Sequence, residues 1–308
     1  MSPTIDEQKS TGRSLEEVVV LSDGRLGREV AAAASFCGLK VHIICLETEK
    51  CDCQADGFKA DLKAKVQRWT LSASEAKAVL SRISTLKELK SLPAKAWLVV
   101  DATNGGLEKK KELLRRLEVA CGADVIVAVN PGGVAVAKLC AGISHPGSVV
   151  GLRFFPPVWD SPKLEVIPGR NSTPEAVAAV SEFVKRMGKT PVVTPDIPGA
   201  YSVRSFVSLL NSAMKTVDAG GKICGTDNSL RSAMGLTSGP FALADSIGLD
   251  VISEWCEDLV RESGSAEFSA HRMLTERVGR REIGFECGKG FFEYTTDGRA
   301  CCPGKSTK

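Results

Sequence analysis

Short apolar runs alternate with helical patterns along the first two thirds of the chain. The β-branched run Val18 to Leu21 precedes a glycine-containing turn and an alanine-rich stretch, and a second apolar run covers Val41 to Leu46. This spacing predicts a strand, a helix and a second, parallel strand. Further strands are predicted in residues 94–103, 123–130, 148–155, 163–169 and 191–196. The alternation predicts an α/β fold with a Rossmann-type doubly wound, mostly parallel sheet.

Two segments depart from this alternation. The lysine-rich interval Asp56 to Lys90 is too long for a simple crossover, and we predict that it projects as an extra helical pair. After Gly199 every periodic apolar stretch is typical of a helix, and the prolines of TPDIPGAY end the last strand. We therefore predict a flexible N-terminus over residues 1–16, a Rossmann-like domain over 17–196 and an all-α C-terminal domain over 197–308.

Composition and charge narrow the functional classes. The 308 residues include 40 basic and 37 acidic side chains, so the formal charge of +3 provides no strong field for nucleic acid, which is not an expected partner. No apolar run approaches the ~20 residues that a membrane span needs. The first residues have neither the apolar core of a secretory signal nor the Arg-rich, acid-poor composition of a transit peptide. We expect an intracellular, reducing compartment, either the mitochondrial matrix or the cytoplasm.

The eleven cysteines are scattered along the chain, and we predict that most are buried reduced thiols. The pairs Cys51/Cys53 and Cys301/Cys302 have three readings: a soft-metal site, a redox disulfide or exposed loop thiols. Neither pair is followed by a second ligand pair at zinc spacing. We therefore expect no metal.

The turn after the first predicted strand carries a weakened dinucleotide-binding motif, SDGRLG, over residues 22–27. Three glycines normally allow the tight turn, the approach of the pyrophosphate and the packing of helix on strand. Ser22 replaces the first glycine, and the Asp23 carboxylate would repel a pyrophosphate unless it is turned away or Arg25 compensates it. The turn either binds NAD or is kept for helix packing. The candidate cofactor contacts are Ser22, Gly24, Arg25 and Gly27.

An acidic residue at the end of the second strand would complete the motif by binding the ribose hydroxyls. The expected place, ~20 residues on, falls on Cys45, and Glu47 lies two residues beyond it. Alternate strand residues share a face, so Glu47 is the candidate ribose ligand.

Several segments together resemble the 3-hydroxyacyl-CoA dehydrogenase family. The agreement runs in order from Val18 to Tyr294 and includes GLRFFPPVWDSPKLEVIPG, SGPFALADSIGLDV and GRREIGFECGKGFFEY. The resemblance implies a nucleotide-binding domain followed by a helical domain that forms the dimer in many members. It also implies that NAD accepts hydride from the 3-carbon of an acyl-CoA, while a histidine oriented by a glutamate removes the hydroxyl proton.

The matched positions depart from the family pattern at the reacting centre. The histidine that precedes Phe-Phe-Asn-Pro falls on Arg153, and the glutamate twelve residues later is kept as Glu165. On the substrate side Asn130 is kept, the family's serine falls on Gly132 or Gly133, and its helical-domain asparagine falls on Val203. The resemblance thus assigns Arg153 and Glu165 to the catalytic positions, and Asn130 and Val203 to the substrate side.

Arginine at the base position removes the proton acceptor. Its pKa is above ~12, so the side chain stays protonated and cannot take a proton from a hydroxyl group near neutral pH. We predict that Arg153 forms a bidentate ion pair with Glu165. The alternative is that its fixed charge binds a carboxylate or phosphate of an acidic ligand.

Three functional hypotheses follow. The first is a family member that has lost hydride transfer and serves as a binding or structural protein, as a homodimer or an accessory subunit of a larger assembly. The second is an active NAD-dependent dehydrogenase whose retuned site holds an acyl-CoA or another acidic hydroxy substrate. The third is a sensor that binds a nucleotide or acyl-CoA without turnover.

Overall fold

The computed structural model describes residues 16–46, 51–67, 70–93, 96–122, 125–295 and 300–302. The predicted flexible N-terminus lies outside the described residues except for Glu16. An eight-stranded sheet has the order β3-β2-β1-β4-β5-β6-β7-β8. Its strands are β1 (Glu17–Ser22), β2 (Lys40–Cys45), β3 (Ile83–Leu86), β4 (Leu98–Ala102), β5 (Ile126–Val129), β6 (Val149–Arg153), β7 (Lys163–Pro168) and β8 (Thr190–Val193).

The sheet is mostly parallel, as the apolar pattern predicts. Only the β6–β7 pairing is antiparallel, and it places Arg153 opposite Glu165. The register of β1 and β2 places Ser22 beside Cys45, so the carboxyl ends of these two strands lie at one edge. Dinucleotide-binding folds hold their ligand at this edge.

Helices cover both faces of the sheet. α1 (Arg25–Phe36), α2 (Cys51–Gln67), α3 (Ala73–Ser81) and α6 (Pro174–Arg186) pack on one face. α4 (Leu107–Cys121) and the short α5 (Val136–Leu139) pack on the other face. α4 is amphipathic, with Leu113, Leu114 and Leu117 buried against the sheet.

The interval 56–90 forms a helical pair, but the prediction that this pair projects is wrong. Phe58 and Leu62 of α2 are 4% and 2% exposed and belong to the core that contains α1. The interval also contains β3, whose four residues pair in parallel with β2 and extend the sheet. A four-residue strand with two exposed positions has too short an alternation to distinguish it from a loop.

The second half of the chain is helical, as the sequence predicts. Its helices are α7 (Ser202–Asp218), α8 (Ile223–Met234), α9 (Pro240–Ile247), α10 (Leu249–Ser263) and α11 (Arg272–Gly279). They enclose a separate apolar core that includes Phe206, Phe241 and Trp255. A small antiparallel pair, β9 (Glu293–Tyr294) and β10 (Ala300–Cys301), follows them. The predicted domain boundary after residue 196 lies between β8 and α7 and stays a prediction.

Asp245 anchors the C-terminal segment to the helices. Its carboxylate, on α9, accepts hydrogen bonds from the amides of Phe291 at 2.8 Å and Phe292 at 2.9 Å, and from the Tyr294 hydroxyl at 2.9 Å. Burial raises the pKa of Asp245 to about 6 in spite of these donors. The carboxyl group is thus desolvated more strongly than its hydrogen bonds compensate.

Two cysteine expectations are wrong. Among the described cysteines only Cys45, Cys140 and Cys256 are buried free thiols, so most are not. Cys302 forms a disulfide with Cys224 of α8, so it is neither a free thiol nor a partner for Cys301. The two cysteines are 78 residues apart, and only folding brings them together. Cys301 is a free thiol, and the side chains of Cys51 and Cys53 lie outside the described part of the chain.

Among the described residues, no helix is both long and apolar enough to cross a membrane.

Gly27 allows α1 to pack closely on β1. A Cβ atom at this position would overlap with the Ser22 side chain and lie 2.9 Å from Ser22 Cα. By contrast, a Cβ atom at Gly24 would meet nothing within 4 Å, and the φ of Gly24 is an extended 175°. The two glycines of the turn therefore have different roles.

We predict that Gly27→Ala lowers the free energy of unfolding by ~1–3 kcal/mol, because the added methyl group overpacks the helix–strand contact. The matched control is Gly24→Ala, for which we expect a change within ~0.5 kcal/mol. Urea denaturation of both variants measures the difference. Equal stability of the two variants would contradict the packing role of Gly27.

We predict that Asp245 titrates in the folded protein with a midpoint of about 6, against an ordinary value of 3.8. Because the folded pKa is raised, the contribution of Asp245 to stability is greatest at low pH and declines as the pH rises from about 4 to about 6. Carboxyl ¹³C NMR measures the midpoint, with Asp245→Asn to assign the signal. In Asp245→Asn the free energy of unfolding should decline less over the same pH range, because the titrating group is gone. A midpoint near 4 in the unaltered protein would contradict the raised pKa of Asp245.

Candidate functional site

A cleft of about 490 Å³ lies between the carboxyl edge of the sheet and the helices of the second half. The sheet-side wall includes Gly24 and Arg25 of the glycine turn, Asn104, Lys109, Asn130 and Phe154. The opposite wall includes Asp245, Asp250, Glu254, Trp255 and Glu286. The structure therefore brings two of the five predicted cofactor contacts, Gly24 and Arg25, together with Asn130, to one cavity.

The glycine turn has an ordered geometry in spite of its serine. Ser22 is fully buried, and its hydroxyl donates to the Gly24 carbonyl at 3.1 Å and lies 3.3 Å from the Gly24 amide nitrogen, from which it accepts. The buried Ser22 side chain thus stabilises the turn from within the fold, while Gly24 lines the cleft. Gly27 is the packing contact described above.

The charges beside the turn are arranged to tolerate an anion. Asp23 Oδ2 accepts from the Asn104 amide at 3.0 Å and pairs with Lys109 Nζ at 3.4 Å, so its charge is partly compensated. Arg25 Nε donates to Glu29 Oε1 at 2.8 Å, and its guanidinium lies over the Phe285 ring at 4.5 Å. Arg25 Nη1 is buried and has no hydrogen-bond partner within the described residues. Phosphate oxygens would satisfy this donor, so the residues present fit a nucleotide phosphate.

Arg153 lies at the end of β6 and is only 1% exposed. Its Nη1 donates to Asn130 Oδ1 at 3.0 Å, and its Nη2 donates to the Gly132 carbonyl. The guanidinium also lies 5.6 Å from the centre of the Trp255 ring. Burial lowers the pKa of Arg153 to about 10, and the nearby Glu165 opposes this shift only in part. The group remains a cation at neutral pH and cannot serve as a base.

The predicted ion pair between Arg153 and Glu165 is wrong. The two residues face each other across β6 and β7, but Glu165 accepts instead from the amide of Ser202 at 3.1 Å and from its hydroxyl. Glu165 therefore connects the sheet to the first turn of α7. Arg153 and Glu165 each form hydrogen bonds with a segment distant in sequence. The strand register alone does not predict these partners.

Of the two positions on which the family's serine falls, Gly133 is closed by α10. A Cβ atom on Gly133 would lie 2.6 Å from Asp258 Cβ and 3.0 Å from the Trp255 carbonyl. A serine side chain here would require α10 to move away. The adjacent Gly132 has a φ of 61°, in the left-handed region that favours glycine.

The predicted substrate-side residue Val203 does not line the cleft. Val203 is fully buried in the apolar core of the second half, where it packs beside Gly199. Glu47 lies outside the described residues.

The sequence pattern did not predict the buried network of hydrogen bonds around Lys110, which lies beneath the cleft. Lys110 is 1% exposed, and its Nζ donates to Asp101 Oδ2 at 2.6 Å and to the Thr103 carbonyl at 2.7 Å. The Thr103 carbonyl also accepts from Asn130 Nδ2 at 3.3 Å, and Asn130 in turn accepts from Arg153. A lysine on the apolar stripe of α4, three residues before Leu113, was the available signal.

The segment VWDSP, residues 158–162 after β6, forms a loop that lies away from the cleft. Trp159 packs edge-on against Phe36 at 5.2 Å and lies under Lys65, away from the cleft residues. Lys189 Nζ donates to the carbonyls of Val158 and Ser161, both at 2.6 Å. Buried polar contacts thus fix this loop.

No group of three or more potential metal ligands occurs among the side chains that the structure describes.

Comparison with known families identifies both halves of the chain. The family model described as 3-hydroxyacyl-CoA dehydrogenase, NAD binding domain, matches residues 17–197. The model described as 3-hydroxyacyl-CoA dehydrogenase, C-terminal domain, matches residues 199–294. The two matches occur in the order that the resemblance implies.

Individual relatives agree with these matches. The chain is 27% identical over 281 residues to a probable 3-hydroxybutyryl-CoA dehydrogenase of Bacillus subtilis, covering 91% of this chain and 98% of that protein. It is 29% identical over 310 residues to the fatty acid oxidation complex subunit alpha of Shewanella amazonensis, covering 98% of this chain but only 43% of that longer protein.

Solved structures show the same fold. FadB2 of M. tuberculosis has a TM-score of 0.81 at 23% identity, covering 92% of this chain and 100% of that one. The (S)-3-hydroxybutyryl-CoA dehydrogenase PaaH1 from Ralstonia eutropha has a TM-score of 0.76 at 25% identity, with coverages of 92% and 100%. Since family models of both domains match in order and span most of the chain, this protein belongs to the 3-hydroxyacyl-CoA dehydrogenase family.

Proposed function

We propose that this chain is a nucleotide-binding member of the family that no longer carries out hydride transfer on 3-hydroxyacyl-CoA. The observation that carries the proposal is the burial of Arg153, a permanent cation, at the position where the family pattern has its histidine. Removal of a general base typically costs ~10²- to 10⁴-fold in rate.

The substrate side supports the same proposal. α10 occupies the space that a side chain at Gly133 would need, and Val203 supplies no polar group. The lining residues of the cleft carry five carboxylates against two cations: Asp23, Asp245, Asp250, Glu254 and Glu286 against Arg25 and Lys109. Four of these carboxylates lie on the helical wall, which disfavours an anionic acyl-CoA there.

The groups that would bind a nucleotide are retained better than the groups on the substrate side. Gly24 leaves open space above the first turn of α1, and Arg25 Nη1, which has no partner in the part of the chain that the structure describes, offers a donor to a phosphate oxygen. The match to a family model for NAD binding supports the same ligand class. When bound, NAD would supply a hydride acceptor, whereas the residues of this chain supply only binding groups.

The burial of Arg153 weighs against a retuned dehydrogenase. An arginine that binds a substrate carboxylate must reach the cleft. Arg153 does not line the cleft, and its two described hydrogen-bond partners are Asn130 and Gly132. An accessory role within an assembly is compatible with the proposal, since the Shewanella relative is named as a subunit of a complex.

We predict that the purified protein binds NADH or NADPH but reduces acetoacetyl-CoA at least ~10²-fold more slowly than an active 3-hydroxybutyryl-CoA dehydrogenase assayed beside it. Nucleotide fluorescence reports binding, and absorbance at the nicotinamide band reports turnover. Gly24→Glu should abolish binding by bulk and charge while leaving the fold intact, because Gly24 has open space around it.

Arg153→His tests which part of the site is missing. We expect this variant to stay inactive, because neither Gly132 nor Gly133 supplies a serine hydroxyl, α10 closes Gly133, and Val203 remains apolar. Turnover by the unaltered protein at ordinary rates of ~1–10³ s⁻¹ would overturn the proposal. Recovery of such rates by Arg153→His alone would show that the substrate side is intact.

A further inference from the structure

A second concave surface, which we name the β2 groove, lies on the α4 side of the sheet and has a volume of about 530 Å³. Its bed is apolar and its rim is charged. The bed consists of Ile44, Cys45, Leu46, Leu89, Val119 and Ala120. The rim consists of Lys87, Glu88, Lys90, Glu112, Arg115 and Arg116.

The β2 groove begins one strand away from the glycine turn. Cys45, its lining residue at the end of β2, is the register partner of Ser22 at the end of β1. The Leu46 amide donates to the Ser22 carbonyl at 3.1 Å, so the two strand ends stay together past the sheet. A dinucleotide whose pyrophosphate lies at the glycine turn extends its adenosine towards this strand end.

The carboxyl end of β2 is the place where dinucleotide-binding folds distinguish NAD from NADP. NAD-specific folds place a carboxylate there to accept from the ribose 2′-hydroxyl, whereas a nearby arginine accommodates a 2′-phosphate. Here β2 ends at Cys45, and the candidate ribose ligand Glu47 lies outside the described residues. Four cations against two carboxylates surround the β2 groove, an excess that favours a phosphate.

The rim cations are available to a ligand. Arg115 Nη1 lies 3.6 Å from Glu112 Oε2, and both side chains are more than half exposed, so this ion pair contributes little. Arg115 and Arg116 are neighbours on α4, and Lys87 and Lys90 follow β3. Val119 is an apolar side chain that is 86% exposed at the bed of the groove, where a flat ring could cover it.

We propose that the β2 groove binds an adenine nucleotide that carries a phosphomonoester on its ribose. The adenine covers the apolar bed, and the phosphate binds the rim cations, with Arg115 and Arg116 as the principal donors. This inference rests on the proposed nucleotide binding at the glycine turn. The phosphate comes either from the 2′-position of NADP or from the 3′-position of coenzyme A, and the place at the end of β2 favours NADP.

The test measures four dissociation constants by calorimetry at one salt concentration: NADPH against NADH, and coenzyme A against dephospho-coenzyme A. We expect NADPH to bind at least ~10-fold more tightly than NADH, the effect of one charge-assisted hydrogen bond. The double variant Arg115→Gln/Arg116→Gln should remove this preference and leave the affinity for NADH unchanged. Lys111→Gln is the matched control, because Lys111 lies on the same helix and lines neither cavity.

The outcomes separate this inference from the proposed function. A preference in the coenzyme A pair alone, lost in the double variant, supports the groove with coenzyme A as the source of the phosphate. Equal affinities within both pairs overturn the inference, and NADH binding in that case leaves the proposed function standing. Failure of both NADH and NADPH to bind refutes the proposed function, while the coenzyme A pair still decides the inference.

Discussion

Burial of a permanent cation at the carboxyl end of β6 is the constraint on which the rest of the site depends. A guanidinium removed from water needs acceptors, and Arg153 takes them from Asn130 and from the Gly132 carbonyl. These contacts fix the loop after β5 against the sheet. They also connect Arg153 through Asn130 to the buried Lys110 network at the end of β4. The polar groups that could have faced a substrate are thereby used within the fold.

The same loop brings the two halves of the chain close together. Gly133 lies against Asp258 of α10, at a distance that excludes any side chain. Glu165, which the resemblance assigns to a catalytic position, accepts from Ser202 at the start of α7. Asp196 accepts from the amides of Val136 at 2.6 Å and Ala137 at 2.8 Å, and so caps α5 from the segment between the halves. Residues that the family pattern assigns to the reacting centre thus form contacts at the junction between the two halves.

The two cavities differ in charge. The cleft has most of its carboxylates on the helical wall, whereas the β2 groove has an excess of cations on its rim. A nucleotide that bridges them would place its anionic groups along the sheet, at Arg25 and at the rim arginines. Electrostatics therefore favours binding on the sheet side and disfavours a second anionic ligand on the helical side.

The sequence by itself determined the fold class and the loss of the proton acceptor. Apolar periodicity follows from local burial, so the sequence alone predicted the alternation of strands and helices in the sheet domain. The exception is the short β3. The identity of Arg153 settles its protonation, because no protein environment turns a guanidinium into a base at neutral pH. Tertiary structure alone decided the partners: Asn130 and not Glu165 for Arg153, Cys224 and not Cys301 for Cys302, α10 against Gly133. Such contacts join segments far apart in the chain, and several candidates satisfy the same local chemistry, so only the packed structure selects among them.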